Sequence, residues 1–238
     1  MNIETIKNIY KYKTELHALT SGISRCSEIS AEELSELYSA CGADAVVLTN
    51  HFTPEDFFGE EPWEFIERYI NEFETLKKFG DAKGINILFG MEIRFSENFN
   101  DYLVYGLEEN DLNLAFECIE KGVDEFYKKF KTEKNLILQA HPFRRGMVLA
   151  DKKSIDGVEV FNMHPNHNSR VSVAAKYAKE NNFIISGGTD FHHFGHEGSC
   201  LLRTKFKPET SFEIAEVLKS GDFVFDIGEN IIFPYYFK

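Results

Sequence analysis

Residues 183–192 read Phe-Ile-Ile-Ser-Gly-Gly-Thr-Asp-Phe-His, an apolar run that passes through two glycines into a threonine, an aspartate and a histidine. A short apolar run bounded by turn-forming residues is the pattern of a buried strand. Asp190 and His192 stand just beyond its end. The same pattern recurs on the N-terminal side. Residues 44–50 (DAVVLTN) run into His51, residues 135–140 (NLILQA) run into His141-Pro142, residues 85–93 (INILFGMEI) carry Glu92 in an apolar setting, and residues 101–106 (DYLVYG) open on Asp101. Residues 155–162 (IDGVEVFN) predict a further strand, and residues 12–17 a weaker first one that ends on His17.

Between these runs lie stretches with helical periodicity. Ser30 and Glu33 form an S-x-x-E capping box, after which Leu34, Leu37, Tyr38 and Cys41 share one face up to Gly42. Pro62 opens a helix over 62–79, Asp111 one over 111–130, and helices are also expected over 168–180 and 212–219. Strands alternating with helices define an α/β fold. About seven such units in one domain spanning residues 1–238 favour a closed or distorted TIM-like barrel over an open sheet. Neither G-x-G-x-x-G nor G-x-x-x-x-G-K-[ST] follows any strand, which removes the usual nucleotide-binding variants of the open sheet.

Composition narrows the function classes. The chain has 238 residues, 43% hydrophobic and 27% charged, with a formal net charge of −13. That charge, with no dense Lys/Arg patch, argues against nucleic acid as a partner and for small substrates and divalent cations. Cys26, Cys41, Cys118 and Cys200 make no C-x-x-C pair, which points to reduced thiols and a cytoplasmic location. No leader-like or membrane-spanning apolar run occurs. The 23 phenylalanines are largely core-filling, so oligomeric state is left open.

The candidate chemistry sits at strand ends, where barrel enzymes keep catalytic groups. His17, His51, Glu92, Asp101, His141, Asp190 and His192 offer imidazole and carboxylate, the ligands of Zn, Mn and Fe, and together would hold two or three divalent cations. Glu92 is singled out by its desolvation cost in a core strand. Arg144, just past His141-Pro142, would bind an anionic group through paired N–H donors. His164, His167, His193 and His196 read as loop residues.

Taken in order, ELHALTS, VVLTNH, GMEI, LQAHP, GVEVFN and GGTDFH resemble the motifs of the polymerase-and-histidinol-phosphatase (PHP) family of metal-dependent phosphoesterases, over roughly residues 12–195. The resemblance implies a distorted barrel of seven β/α units. It also implies a cation at His17, Glu92 and Asp190, a second bridged by Glu92 and held by His141, and a third at His51 and His192, with Asp101 near a further ligand position. Two motifs depart from the family: Leu19 replaces the second histidine of His-x-His, and Asn50 stands where an aspartate precedes His51. The expected activity is hydrolysis of a small phosphorylated substrate by metal-activated water, with His192 or His51 serving the leaving oxygen and Arg144 a phosphate oxygen. Leu19 and Asn50 support the alternative of an impaired metal-binding or regulatory module. A metal-dependent amidohydrolase is the other alternative, weakened because no lysine ends a strand in a bridging position.

Overall fold

The computed structural model describes residues 2–57 and 59–234. Among them the chain forms α1 (Ile3–Ile9), β1 (Tyr12–Ala18), α2 (Ala31–Ala40), β2 (Ala45–Leu48), β3 (His51–Phe52), α3 (Pro62–Lys83), β4 (Asn86–Phe89), β5 (Met91–Arg94) and β6 (Asp101–Tyr105). It continues through α4 (Asp111–Cys118), α5 (Val123–Phe130), β7 (Leu136–Gln139), β8 (Gly157–Asn162), α6 (Val171–Asn181), β9 (Ile184–Gly188), β10 (Cys200–Thr204), α7 (Ser211–Ser220), β11 (Val224–Ile227) and β12 (Asn230–Ile232).

This is a mixed α/β fold with two six-stranded sheets, ordered β12-β11-β10-β1-β2-β4 and β3-β5-β6-β7-β8-β9. The chain steps from the first sheet to the second at Thr49-Asn50, between β2 and β3, and again at Gly90, between β4 and β5. At another margin the sheets meet where Ala18 bridges Phe191, with the Phe191 amide donating to the His17 carbonyl at 3.1 Å.

The pairing is less parallel than the alternation of strands and helices implies. β1–β2, β2–β4, β3–β5, β7–β8 and β8–β9 are parallel, whereas β5–β6, β6–β7, β1–β10, β10–β11 and β11–β12 are antiparallel. Only residues 95–100 separate β5 from β6, too few for the crossover that parallel neighbours need. Strand 85–93 is split at Gly90 because its halves belong to different sheets. Helix 111–130 is split at Gly122, whose φ of 88° lies outside the helical region, and the amide of Val123 is taken up by Glu97 at 3.3 Å.

The central strands are buried on both faces. On β2, Ala45 and Val47 join the larger apolar cluster while Val46 and Leu48 join a second one built with Leu34, Tyr38, Phe73 and Leu76 of α2 and α3. The capping box of α2 is present: Ser30 Oγ accepts from the Glu33 amide at 3.3 Å, and Glu33 Oε2 accepts from the Ser30 amide at 2.9 Å. Ser30→Ala is expected to cost about 1 kcal/mol and to lower Tm by about 2–4 °C in a thermal melt. No helix of the described residues is long and apolar enough to cross a membrane.

Candidate metal centre

Glu92 forms the hub of a buried cluster. It lies on β5 with His51 as its direct partner on β3, so both side chains leave the sheet on one face. Glu92 Oε2 is 3.1 Å from His17 Nε2 and 3.2 Å from His51 Nε2, while Oε1 is 3.2 Å from His141 Nε2. Asp190 Oδ1 is 3.4 Å from His17 Nε2 and 3.4 Å from His192 Nδ1, and Asp101 Oδ2 is 3.7 Å from His141 Nε2. All seven strand-end residues singled out as ligands therefore converge.

Their ligand atoms form three groups, each within 4.8 Å: His17, Glu92 and Asp190; Glu92, Asp101 and His141; and Cys26, His51 and His192. The donor chemistry fits cations. His17 Nδ1 is 2.9 Å from Glu159 Oε1, a carboxylate oxygen that accepts the Nδ1 hydrogen bond and leaves Nε2 as the nitrogen that faces Glu92 and would take a cation. That Nε2 and Glu92 Oε2 have no hydrogen-bond partner among the described residues although 3.1 Å apart. Two buried ligand atoms that face each other without a hydrogen bond are what a shared cation relieves.

Charge is arranged to match. Burial opposes ionisation of His17, yet the Glu92, Asp190 and Glu159 carboxylates hold its pKa well above the usual histidine value. Glu92 is held well below the usual carboxylate range: burial opposes this, and the His17 charge, the hydrogen bond from His141 and the close approach of His17 and His51 prevail. Burial likewise opposes ionisation of Asp190, but the charges of His17, His192 and Arg144 lower its pKa. Asp101 is pushed up by burial and by Glu92, against the pull of His141 and Arg94, although Arg94 grips its carboxylate through two hydrogen bonds of 2.8 and 3.0 Å.

The backbone is bent to deliver two of these groups. His141 has φ 30° and Asp190 φ 55°, in the left-handed region that non-glycine residues seldom occupy. Gly188 allows the approach of β9 to β1, since a Cβ there would lie 2.6 Å from His17 Cβ and 2.9 Å from the His17 amide nitrogen.

Arg144 also reaches the cluster. Its Nη2 donates to Asn162 Oδ1 at 2.8 Å and to Asp190 Oδ2 at 2.5 Å, while its buried Nε has no hydrogen-bond partner among the described residues. Several participants were not singled out from sequence. Glu159, fully buried on β8, bonds His17 and also accepts from the His141 amide at 3.1 Å. The desolvation argument that marks Glu92 applies equally to Glu159. Asn162 donates to both Glu159 and Asp190. Asp56 Oδ2 lies 3.6 Å from His51 Nδ1. Cys26 had no local pattern to mark it: burial opposes its ionisation, but hydrogen bonds with His192 and His51 bring the thiol down to about 7.

The loop histidines differ from the sequence reading in one respect. His164 is buried, with its ring 5.1 Å from that of His192, and burial with the neighbouring His192, His167 and Arg144 charges, against Asp190, brings it down to about 4. The two motif departures take different forms. Leu19 is fully buried and offers no donor. Asn50 does not orient His51 with its side chain: its Oδ1 accepts from the Thr20 amide at 2.7 Å and Ser24 Oγ at 3.0 Å, and its Nδ2 donates to Thr20 Oγ1.

No family model and no curated protein matches this sequence. Solved structures do match. A two-domain protein of Bacteroides vulgatus containing a predicted PHP-like metal-dependent phosphoesterase superposes with a TM-score of 0.60 at 16% identity, over 92% of this chain and 66% of that one. The fold is PHP-like. This chain thus spans just under two thirds of that protein's length. PsfC of Pseudomonas syringae matches with a TM-score of 0.54 at 15% identity, over 80% of each chain. An amidohydrolase of Chromobacterium violaceum, solved with bound sulfate and no metal, matches with a TM-score of 0.51 at 13% identity, over 86% of this chain and 96% of that one.

Proposed function

We propose that this chain is a metal-dependent phosphoesterase acting on a small phosphate ester, its two sheets forming the halves of a distorted (β/α)7 barrel in one domain. The observation that carries the reading is Glu92, a buried carboxylate shared by three imidazoles, whose Oε2 and the facing Nε2 of His17 have no hydrogen-bond partner among the described residues. His17, Glu92 and Asp190 would hold one divalent cation, and Glu92, Asp101 and His141 a second, of the Mn, Fe or Zn type. When bound, the cations supply water activation and neutralise charge building at phosphorus.

The chain's own residues do the rest. Glu159 fixes the His17 ring and its tautomer, and Asn162 holds the Glu159 and Asp190 carboxylates in one geometry. Arg144, with a side chain 15% exposed, donates to a non-bridging oxygen of the substrate. His51 and His192 serve the leaving oxygen, holding either its proton or a cation beside it. The four free thiols fit a reducing, cytoplasmic setting.

Metal analysis of the purified protein followed by a panel of phosphomonoesters, phosphodiesters and cyclic amides tests this reading. Turnover of an ester by protein carrying two or more cations is expected. Loaded protein that hydrolyses only cyclic amides would sink it. Arg144→Ala is expected to weaken substrate capture by about 2 kcal/mol, a rise of about 30-fold in KM at saturating metal, with lysine a poor substitute.

A second reading, a binding or regulatory module with impaired turnover, rests on the buried Leu19. Leu19→His would then raise metal content and activity together.

A further inference from the structure

We propose that Cys26 is a thiolate ligand that, with the imidazoles of His51 and His192, makes a three-donor cation site selecting zinc over manganese. This rests on the metal-centre reading above and adds to it a chemically different third position. Three separate segments supply the three donors: the loop after β1, the short β3, and the segment past β9. Cys26 Sγ is 3.1 Å from His192 Nε2 and 3.9 and 4.0 Å from His51 Nδ1 and Nε2. Zinc bonds of about 2.0–2.3 Å to nitrogen and sulfur set the edges of a tetrahedral site at roughly 3.3–3.6 Å, so small side-chain adjustments bring these atoms to one ion.

One donor is also oriented for the site: His192 Nδ1 lies 2.8 Å from the Asp190 carbonyl oxygen, which can only accept, so Nδ1 carries a proton and Nε2 is the nitrogen turned toward the thiol. The loop that carries Cys26 is tied to both histidine segments. Ser24 Oγ accepts from the His51 amide at 2.9 Å and donates to Asn50 Oδ1, while the Glu28 amide donates to the His192 carbonyl at 3.1 Å. Asn50 thereby acquires a positioning role that an aspartate could not fill in full, because its Nδ2 donates to Thr20 Oγ1.

The other two groups contain only nitrogen and oxygen donors, which accept manganese or iron. Sulfur at the third discriminates against manganese. Cys26 is exposed, so the site has three protein donors and an open side, the arrangement of catalytic rather than structural zinc.

Cobalt(II) titration of the metal-free protein, followed by absorption, tests this. A thiolate-to-cobalt charge-transfer band in the near ultraviolet is expected. Cys26→Ser should lose it together with one equivalent of cobalt, while Cys26→His should lose the band and keep the equivalent. Cys41→Ser, whose native thiol donates to the Tyr38 carbonyl, should keep both. Stoichiometric zinc should bleach the band and stoichiometric manganese should not. Cobalt bound without a charge-transfer band, or a band that survives in Cys26→Ser, overturns the thiolate ligand and leaves the two-cation reading standing. Absence of any cobalt binding overturns both.

Discussion

Glu92→Gln is expected to lower kcat/KM for phosphate-ester hydrolysis by about a thousandfold, equivalent to about 4 kcal/mol of transition-state stabilisation. The substitution preserves shape, but it removes the one charge that His17, His51 and His141 share within 3.2 Å. An amide nitrogen in place of a carboxylate oxygen would also point a donor where a bound cation needs an acceptor. Because the histidines of the metal-free protein can neutralise by losing protons, the variant should fold, and its circular dichroism should match that of the parent. Steady-state kinetics at saturating metal gives the answer, and a variant with near-parental kcat/KM would remove Glu92 from the centre.

Metal loading should raise thermal stability almost as visibly. Glu15, Glu92, Glu159, Asp101 and Asp190 are all buried around the cluster, and a bound cation acts on the folded state alone. At free metal a thousandfold above Kd the gain is about 4 kcal/mol, which in a chain of this size corresponds to a rise of about 8–16 °C in Tm. A chelator should reverse it, and Glu92→Gln should abolish most of it. A melting curve indifferent to manganese, iron and zinc would argue that the cluster is a hydrogen-bonded core and no metal centre.

Much of the site was legible because strand ends are where an apolar run changes character abruptly. VVLTNH and LQAHP announce His51 and His141 by that change, and Glu92 announces itself by a carboxylate in a setting that desolvates it. Glu159 sends the same signal from within GVEVFN, and the structure shows it fully buried beside His17. Cys26 was not legible, because its meaning depends on His51 and His192, which reach it only through tertiary folding. The break between α4 and α5 has the same origin: the periodicity over 111–130 is continuous, and Glu97 from another segment takes up the Val123 amide. The strands β10, β11 and β12 lack the long apolar runs that mark several earlier ones, so their antiparallel pairing escaped a reading based on strand–helix alternation.

The place of β1 bears on how this molecule is made. Its Tyr12 pairs with Thr204 and its His17 meets Asp190, so the first strand takes neighbours from the last part of the described chain. Contacts so distant in sequence carry a large loop-closure entropy and form late. A ribosome-bound chain that has not yet extruded β9 has His17 and Glu92 but lacks Asp190, so the His17, Glu92 and Asp190 group is completed only after β9 has emerged, whereas Glu92, Asp101 and His141 are already present.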